Sequence, residues 1–252
     1  MADTILYRRE GHIGYLVLNC PDRHNALGAE ELRLIGQHLD TVAAEDQART
    51  LVVTGAGDKT FCAGASLQQL ADGKLSNDAF REVTGRLEAL AIPTICAMNG
   101  HVFGAGVELA LACDFRIGVE GSRMRVPAAA IGICYPPSGI SRLVNCLGVS
   151  VARRILLAAE VFDAQAMLQV GFLDHLVLPG GLQEACSELA EQVSGLAPLA
   201  VRSMKSILGQ VVAGEVDEDH AARLAAMCAG SEDLAEGLAA QKEKRRPRFR
   251  GA

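Results

Sequence analysis

Hydrophobic residues recur along the chain with two different periods, and the changes of period mark out its elements. Residues 5–8 and 13–18 are short apolar-rich runs with Glu10-Gly11-His12 between them, which predicts two paired strands. Leu32, Ile35, Leu39 and Val42 then fall on one helical face, and Phe80, Val83, Leu87 and Leu90 form a second such stripe. Residues 51–54, 94–98 and 115–119 are short apolar runs of the kind that fill buried strands. Beyond about Ser150 the spacing is almost wholly helical, over residues 151–159, 163–170, 182–193, 199–212 and 217–227. A last helix starts near Ser231 and ends before Pro247. The first two-thirds therefore reads as alternating strand and helix, the remainder as helix. No internal repeat and no Gly/Ser or Pro linker divides the chain.

Length makes this pattern one large core with a helical appendage, since 252 residues bury a core of that size more readily than two independent ones. Half the residues are hydrophobic and 21% are charged, as in ordinary globular enzymes. A formal net charge of −6 argues against nucleic acid as the main partner. The eight cysteines, at 20, 62, 96, 113, 134, 146, 186 and 228, form no Cys-x-x-Cys pair and no zinc-spaced cluster with histidine. Reduced and mostly buried thiols are expected, with no metal site. The N-terminus lacks an apolar signal core and no run of roughly 18 apolar residues suggests a membrane span. A cytoplasmic protein without membrane attachment is the expectation.

Candidate chemistry gathers between Phe61 and Glu108. Two small-residue turns, Phe61-Cys62-Ala63-Gly64-Ala65-Ser66 and Gly100-His101-Val102-Phe103-Gly104-Ala105-Gly106, each follow a strand-like run and precede a helix-like one. Small residues let the backbone approach a ligand closely and point N–H groups at it. The second turn runs into Val107-Glu108, placing a carboxylate just beyond it. Two such turns with an acid beside them suggest an oxyanion hole with an acid/base group. Two ordinary strand-to-helix connections with glycines for tight packing would have the same spacing.

A resemblance adds to this reading. The segment Asn19-Cys20-Pro21-Asp22-Arg23-His24-Asn25-Ala26-Leu27 resembles the N-terminal signature of the enoyl-CoA hydratase/isomerase (crotonase) superfamily. So do Thr54-Gly55 through Ala65, Asn99-Gly100 through Glu108-Leu109-Ala110 to Cys113-Asp114, then Pro127, Ile131-Gly132 and Arg142-Leu143 in order. Glu236-Gly237-Leu238 to Glu243-Lys244-Arg245-Arg246-Pro247 resembles the family's closing helix, so the match covers nearly the whole chain. The resemblance implies an α/β fold, a crotonase-like spiral of β-β-α units with a helical C-terminal region. Residues 1–195 would form the acyl-CoA-binding core, and 196–252 a helical region for assembly into a homotrimer or hexamer. It implies a CoA thioester as substrate, with no further cofactor.

Carried over by position, the oxyanion donors would be the backbone N–H groups of Ala65 and Ala105, and Glu108 would carry the proton. Arg23, His24, Ala63, Ser66, Leu67, Gln68 and Tyr135 would line the CoA and acyl site with them. Ser66 also suits a helix N-cap, with Gln69 three residues on to complete a capping box. Arg23 and His24 would meet CoA phosphates or stand as exposed loop charges, and the same holds for Arg245 and Arg246 at the closing helix. Two departures from the family pattern stand out. Its second catalytic glutamate is replaced by Ala128, and Gln241 stands where an aromatic acyl-pocket residue is frequent. Hydration by reduced machinery, double-bond isomerisation, decarboxylation, thioester hydrolysis and catalytically silent acyl-CoA binding all remain open on one scaffold.

Overall fold

A computed structural model describes residues 3–252. Strands β1 (Ile5–Glu10) and β2 (Ile13–Leu18) pair antiparallel about Gly11, and α1 (Ala29–Ala44) follows. Next come β3 (Thr50–Gly55) and β4 (Thr60–Cys62), then α2 (Leu67–Ala71) and α3 (Asn77–Glu88). The plan repeats with β5 (Thr94–Met98), β6 (His101–Phe103) and α4 (Ala105–Leu111), and again with β7 (Phe115–Val119), β8 (Arg123–Arg125) and α5 (Pro137–Leu157). After β9 (Phe162–Asp163), α6 (Ala164–Gln169) and β10 (His175–Val177), four helices complete the chain: α7 (Leu182–Ser194), α8 (Pro198–Ala213), α9 (Glu218–Ala229) and α10 (Glu232–Glu243).

From β3 onward, each unit gives its first strand to one sheet and its second to another. The six-stranded sheet has the order β1-β2-β3-β5-β7-β10, and the four-stranded one β4-β6-β8-β9. Apart from the first hairpin and the β8–β9 pair, neighbouring strands are parallel, as strand-helix-strand connections require. This is the expected α/β spiral of β-β-α turns. Burial on both faces explains why β3 and β5 read as continuous apolar runs rather than alternating ones. On one face Val52, Ile95 and Ile117 pack under Leu182, Cys186 and Ala190 of α7. The other core joins the two sheets to α1, α3, α4 and α5, with Leu32, Ile35, Leu39 and Val42 buried as their spacing predicts. No helix among the described residues is long and apolar enough to cross a membrane.

Four expectations need correction. The turns do not follow β3 and β5 directly: the three-residue strand β4 runs into the first segment read as a turn, and β6 lies inside the second. The helix expected over 151–159 begins at Pro137, because proline is compatible with a first helical turn that lacks an N–H partner anyway. It is kinked at Gly148, whose φ of 77° breaks the helical run. Strand β10 lies in a region read as helical; its three residues pair with β7 and are too short to show a period. All eight cysteines are free, but Cys134 and Cys146 are exposed and only Cys62, Cys96, Cys113 and Cys186 are buried.

Candidate active site

Pairing of β4 with β6 sets the geometry of the site. Thr60 lies opposite His101 and Cys62 opposite Val102, so the two parallel strands end together and release both small-residue turns from the same end. The turns then pass so closely that side chains are excluded between them. A Cβ on Gly64, whose φ is +86°, would lie 2.6 Å from the Phe103 carbonyl oxygen and 2.8 Å from the Ala105 nitrogen. A Cβ on Gly106 would lie 2.6 Å from the Cys62 carbonyl oxygen. Glycine is required at both positions by close approach, and at Gly64 by backbone conformation as well.

The N-terminal signature straps the first turn from outside. The Ala63 amide donates to the His24 carbonyl at 3.0 Å, Leu27 to Gly64 at 2.8 Å, and Ser66 to Leu27 at 2.9 Å. This pattern uses the Ala63 and Ser66 amides, the Gly64 N–H donates to Cys62 Sγ at 3.4 Å, and the Ala65 N–H is left unengaged among the described residues. The Ala105 N–H likewise opens α4 with no carbonyl behind it. Asn25, 1% exposed with φ 54°, fixes the strap: its Nδ2 donates to the Thr60 and Ala56 carbonyls at 2.8 and 3.0 Å, and its Oδ1 accepts from the Cys20 amide. Sequence reading counted Asn25 as part of a signature and missed this role.

Glu108 sits in the first turn of α4, one helical turn beyond Ala105, and is 4% exposed. Arg142 Nη1 of α5 donates to its Oε1 at 3.0 Å. A Cβ on Gly139 would lie 2.7 Å from Glu108 Oε2 and 2.5 Å from the Tyr135 ring, so carboxylate and phenol share the space beside that glycine. Burial pushes the Glu108 carboxyl above its ordinary pKa; the Arg142 charge and the Tyr135 and Arg142 hydrogen bonds oppose that rise. Burial and the neighbouring Glu108 charge drive the Tyr135 phenol upward, which keeps it protonated. Its hydroxyl lies 3.5 Å from the Gly104 carbonyl, at the second turn. An acid with raised pKa beside two unengaged amides suits proton transfer next to a developing oxyanion.

The other expected site residues are placed as follows. Ser66 caps α2 by accepting from the Gln69 amide at 3.4 Å, but the capping box is not completed. Gln69 Oε1 instead accepts from the Ala29 amide of α1 at 2.9 Å. Leu67 and Gln68 are exposed on α2, the latter bonded to Asp72. Arg23 points at Glu31 Oε1, 2.9 Å away, and His24 contacts Thr60 Oγ1. Arg245 is paired with Glu236 and Glu243, while Arg246 borders a cavity of about 700 Å³ between α10 and the chain end. Ala128 is buried in the core, and Tyr135 shares with Glu108 the space beside Gly139, a neighbour the sequence reading did not assign to it. Arg142 was recognised only as part of a matching pair of letters; its partnership with Glu108 was not read.

This combination of a two-sheet spiral, paired tight turns and a buried acid defines a class, and comparison with known proteins identifies it. The family model described as enoyl-CoA hydratase/isomerase matches residues 8–252, and the chain belongs to that family of enzymes acting on acyl-CoA thioesters. It is 33% identical to the 2,3-dehydroadipyl-CoA hydratase of Escherichia coli over 257 residues, covering 100% of both chains. With the short-chain-enoyl-CoA hydratase of Clostridium acetobutylicum it shares 28% over 255 residues, 97% of this chain and 96% of that one. Among solved structures, an enoyl-CoA hydratase/carnithine racemase from Magnetospirillum magneticum superposes with a TM-score of 0.94 at 26% identity, covering 100% of this chain and 97% of the other. An enoyl-CoA hydratase from Bacillus anthracis gives 0.89 at 29%, covering 99% and 100%.

Proposed function

We propose that this protein binds the thioester carbonyl of an acyl-CoA between the N–H groups of Ala65 and Ala105, stabilises the enolate formed there, and moves a proton at C2 or C3 with Glu108. The observation that carries the reading is the convergence of the two turns beside a buried acid. Gly64 brings the first turn against the Ala105 nitrogen, and Glu108 stands one helical turn further on. Preorganised donors of this kind are worth about 3 kcal/mol each in transition-state stabilisation. The CoA thioester is itself the substrate, and no other cofactor enters the scheme.

The reaction reads best as one that a single carboxylate can run. Ala128 offers no second acid to orient water, so hydration of 2-enoyl-CoAs, the activity in the names of both relatives above, would be slow here. Double-bond isomerisation and decarboxylation pass through the enolate and add no water, so the oxyanion site and one proton carrier suffice for them; thioester hydrolysis would use the same donors for a tetrahedral oxyanion, with Glu108 activating the water. Arg23, His24, Ala63, Ser66, Leu67, Gln68 and Tyr135 border the CoA and acyl moieties in this scheme. The helices of residues 196–252 serve assembly into a homotrimer or hexamer in the cytoplasm; exposed Leu208, Val212 and Leu238 supply apolar surface for it.

Glu108→Gln tests the reading. It keeps the size and hydrogen-bonding atoms of the side chain but removes the base, so turnover should fall about 10²–10⁴-fold. Acyl-CoA affinity, measured by calorimetry, should stay within a few-fold. Because burial holds Glu108 above its ordinary range, wild-type kcat/KM should rise with pH through a limb above 4.5, where the carboxylate ionises, and Glu108→Gln should lack that limb. Wild-type turnover in the variant would make Glu108 a structural residue.

A further inference from the structure

Arg142 lies in α5, 34 residues beyond Glu108, and is 8% exposed. It spans two carboxylates: Nη1 donates to Glu108 Oε1 at 3.0 Å, and Nη2 to Glu88 Oε2, at the end of α3, at 2.7 Å. Thr84 is the other polar group near Oε1, at 3.5 Å. Its hydroxyl is better placed to donate to the Phe80 carbonyl, at 2.9 Å, and it accepts from Arg142 Nη1 at 3.3 Å. The guanidinium is therefore the donor that holds Oε1. Oε2 faces Gly139, beside which the Tyr135 ring also lies, and the Tyr135 hydroxyl reaches the second turn.

We propose that Arg142 is the positioning residue of Glu108: it ties down Oε1, anchors itself on Glu88, and leaves Oε2, on the Tyr135 side, as the oxygen that carries the proton. This rests on the reading of Glu108 as proton carrier. Arg142 acts through Glu108 and does not itself reach the reacting atoms. A planar fork suits the task, since it binds both carboxylates in fixed directions, which an ammonium does not. A buried ion pair is weak grounds for stability in itself, because desolvation offsets most of the attraction. Its effect here falls on Glu108: the groups facing that carboxylate are Arg142 from α5, Thr84 and, through Arg142, Glu88 from α3, and Tyr135 from the segment before α5. The guanidinium supplies the positive charge among them and opposes the upward push of burial.

The test uses the full chain with 13C-labelled glutamate carboxyls, titrated by NMR, with the Glu108 signal assigned by its loss in Glu108→Gln. In Arg142→Met the Glu108 midpoint should move up by a full pH unit or more. On whichever acyl-CoA the wild type turns over, kcat should fall about tenfold or more while KM stays within about threefold, as misplacement of a reacting group predicts. Arg142→Lys should keep the midpoint nearer the wild-type value and recover part of kcat. A Glu108 midpoint unmoved in Arg142→Met overturns the proposal, whatever happens to kcat. Where Arg142→Met does not fold, Arg142→Lys decides, and a midpoint and kcat both equal to wild type overturn it. Failure of the wild type to bind or turn over any acyl-CoA instead overturns the functional reading, and the titration still reads the Arg142–Glu108 coupling.

Discussion

Gly64 shows how one residue governs the distance between two backbones. At φ +86° an alanine carries a conformational cost of about 1–2 kcal/mol by itself. Its methyl group would also stand 2.8 Å from the Ala105 nitrogen, forcing the turns apart. Gly73, at φ +67° with no atom within 4 Å of its virtual Cβ, separates the two effects. Chemical denaturation should show Gly64→Ala losing more stability than Gly73→Ala, and turnover should collapse in the first alone. Equal losses in both variants, with activity kept, would mean that the spacing of the turns does not matter. Both Gly64 and Glu108 were legible as letters in a motif. Asn25 and Arg142 were present in matched segments too, but a role that consists of reaching across to another element leaves no local pattern.

Elements differ in how much of themselves they show. Helix α1 and strand β3 announce themselves, because burying one helical face or both strand faces forces a period or a run on the sequence. Strands β4 and β6 have three residues each and no such signature, yet their pairing aligns the two small-residue turns. The segment from Ala128 to the start of α5 is a similar case. The helical spacing is legible only from residue 151, whereas Pro137 opens a 21-residue helix that delivers Gly139 and Arg142 to Glu108. Ala128, just before it, is 6% exposed, so a carboxylate there would be desolvated and its pKa raised. Ala128→Glu should raise hydration of short 2-enoyl-CoAs by about tenfold, short of the roughly 10²–10⁴-fold a shaped acid supplies. Circular dichroism must show an intact fold. Fast hydration by the unmodified protein would remove the premise and leave Tyr135 to supply the second group.

At the scale of the molecule, the chain end is tied back to the core by contacts that sequence proximity does not provide. Arg49 Nη2 donates to the Phe249 carbonyl at 2.9 Å, across 200 positions. The buried carboxylate of Asp233 accepts from the Arg250 and Gly251 amides at 2.7 and 2.9 Å. Glu236 holds the Arg248 amide, and its pairing with Arg245 keeps it down at about 2, so that latch weakens only as pH falls from 4.5 toward 2. Asp233→Ala should cost about 1–3 kcal/mol, the loss of two hydrogen bonds to a buried carboxylate. Amide exchange over residues 245–252 should quicken in that variant while the sheet amides keep their protection. Unchanged exchange in the tail would place its anchorage elsewhere.

The sequence by itself determined the alternation of elements and the family, and it supplied the candidates Ala65 and Ala105 for the oxyanion, Glu108 for the proton and Ala128 as a departure from the family pattern. Each of these is a local property, a period, a small-residue turn or a motif letter, and local physics writes it into neighbouring positions. Tertiary structure decided which strand of each unit joins which sheet, and so the alignment of the turns. It also decided that Glu108 is buried and paired, because burial, ion pairing and the resulting pKa arise from groups that meet only when β4 finds β6 and α5 crosses α3 and α4.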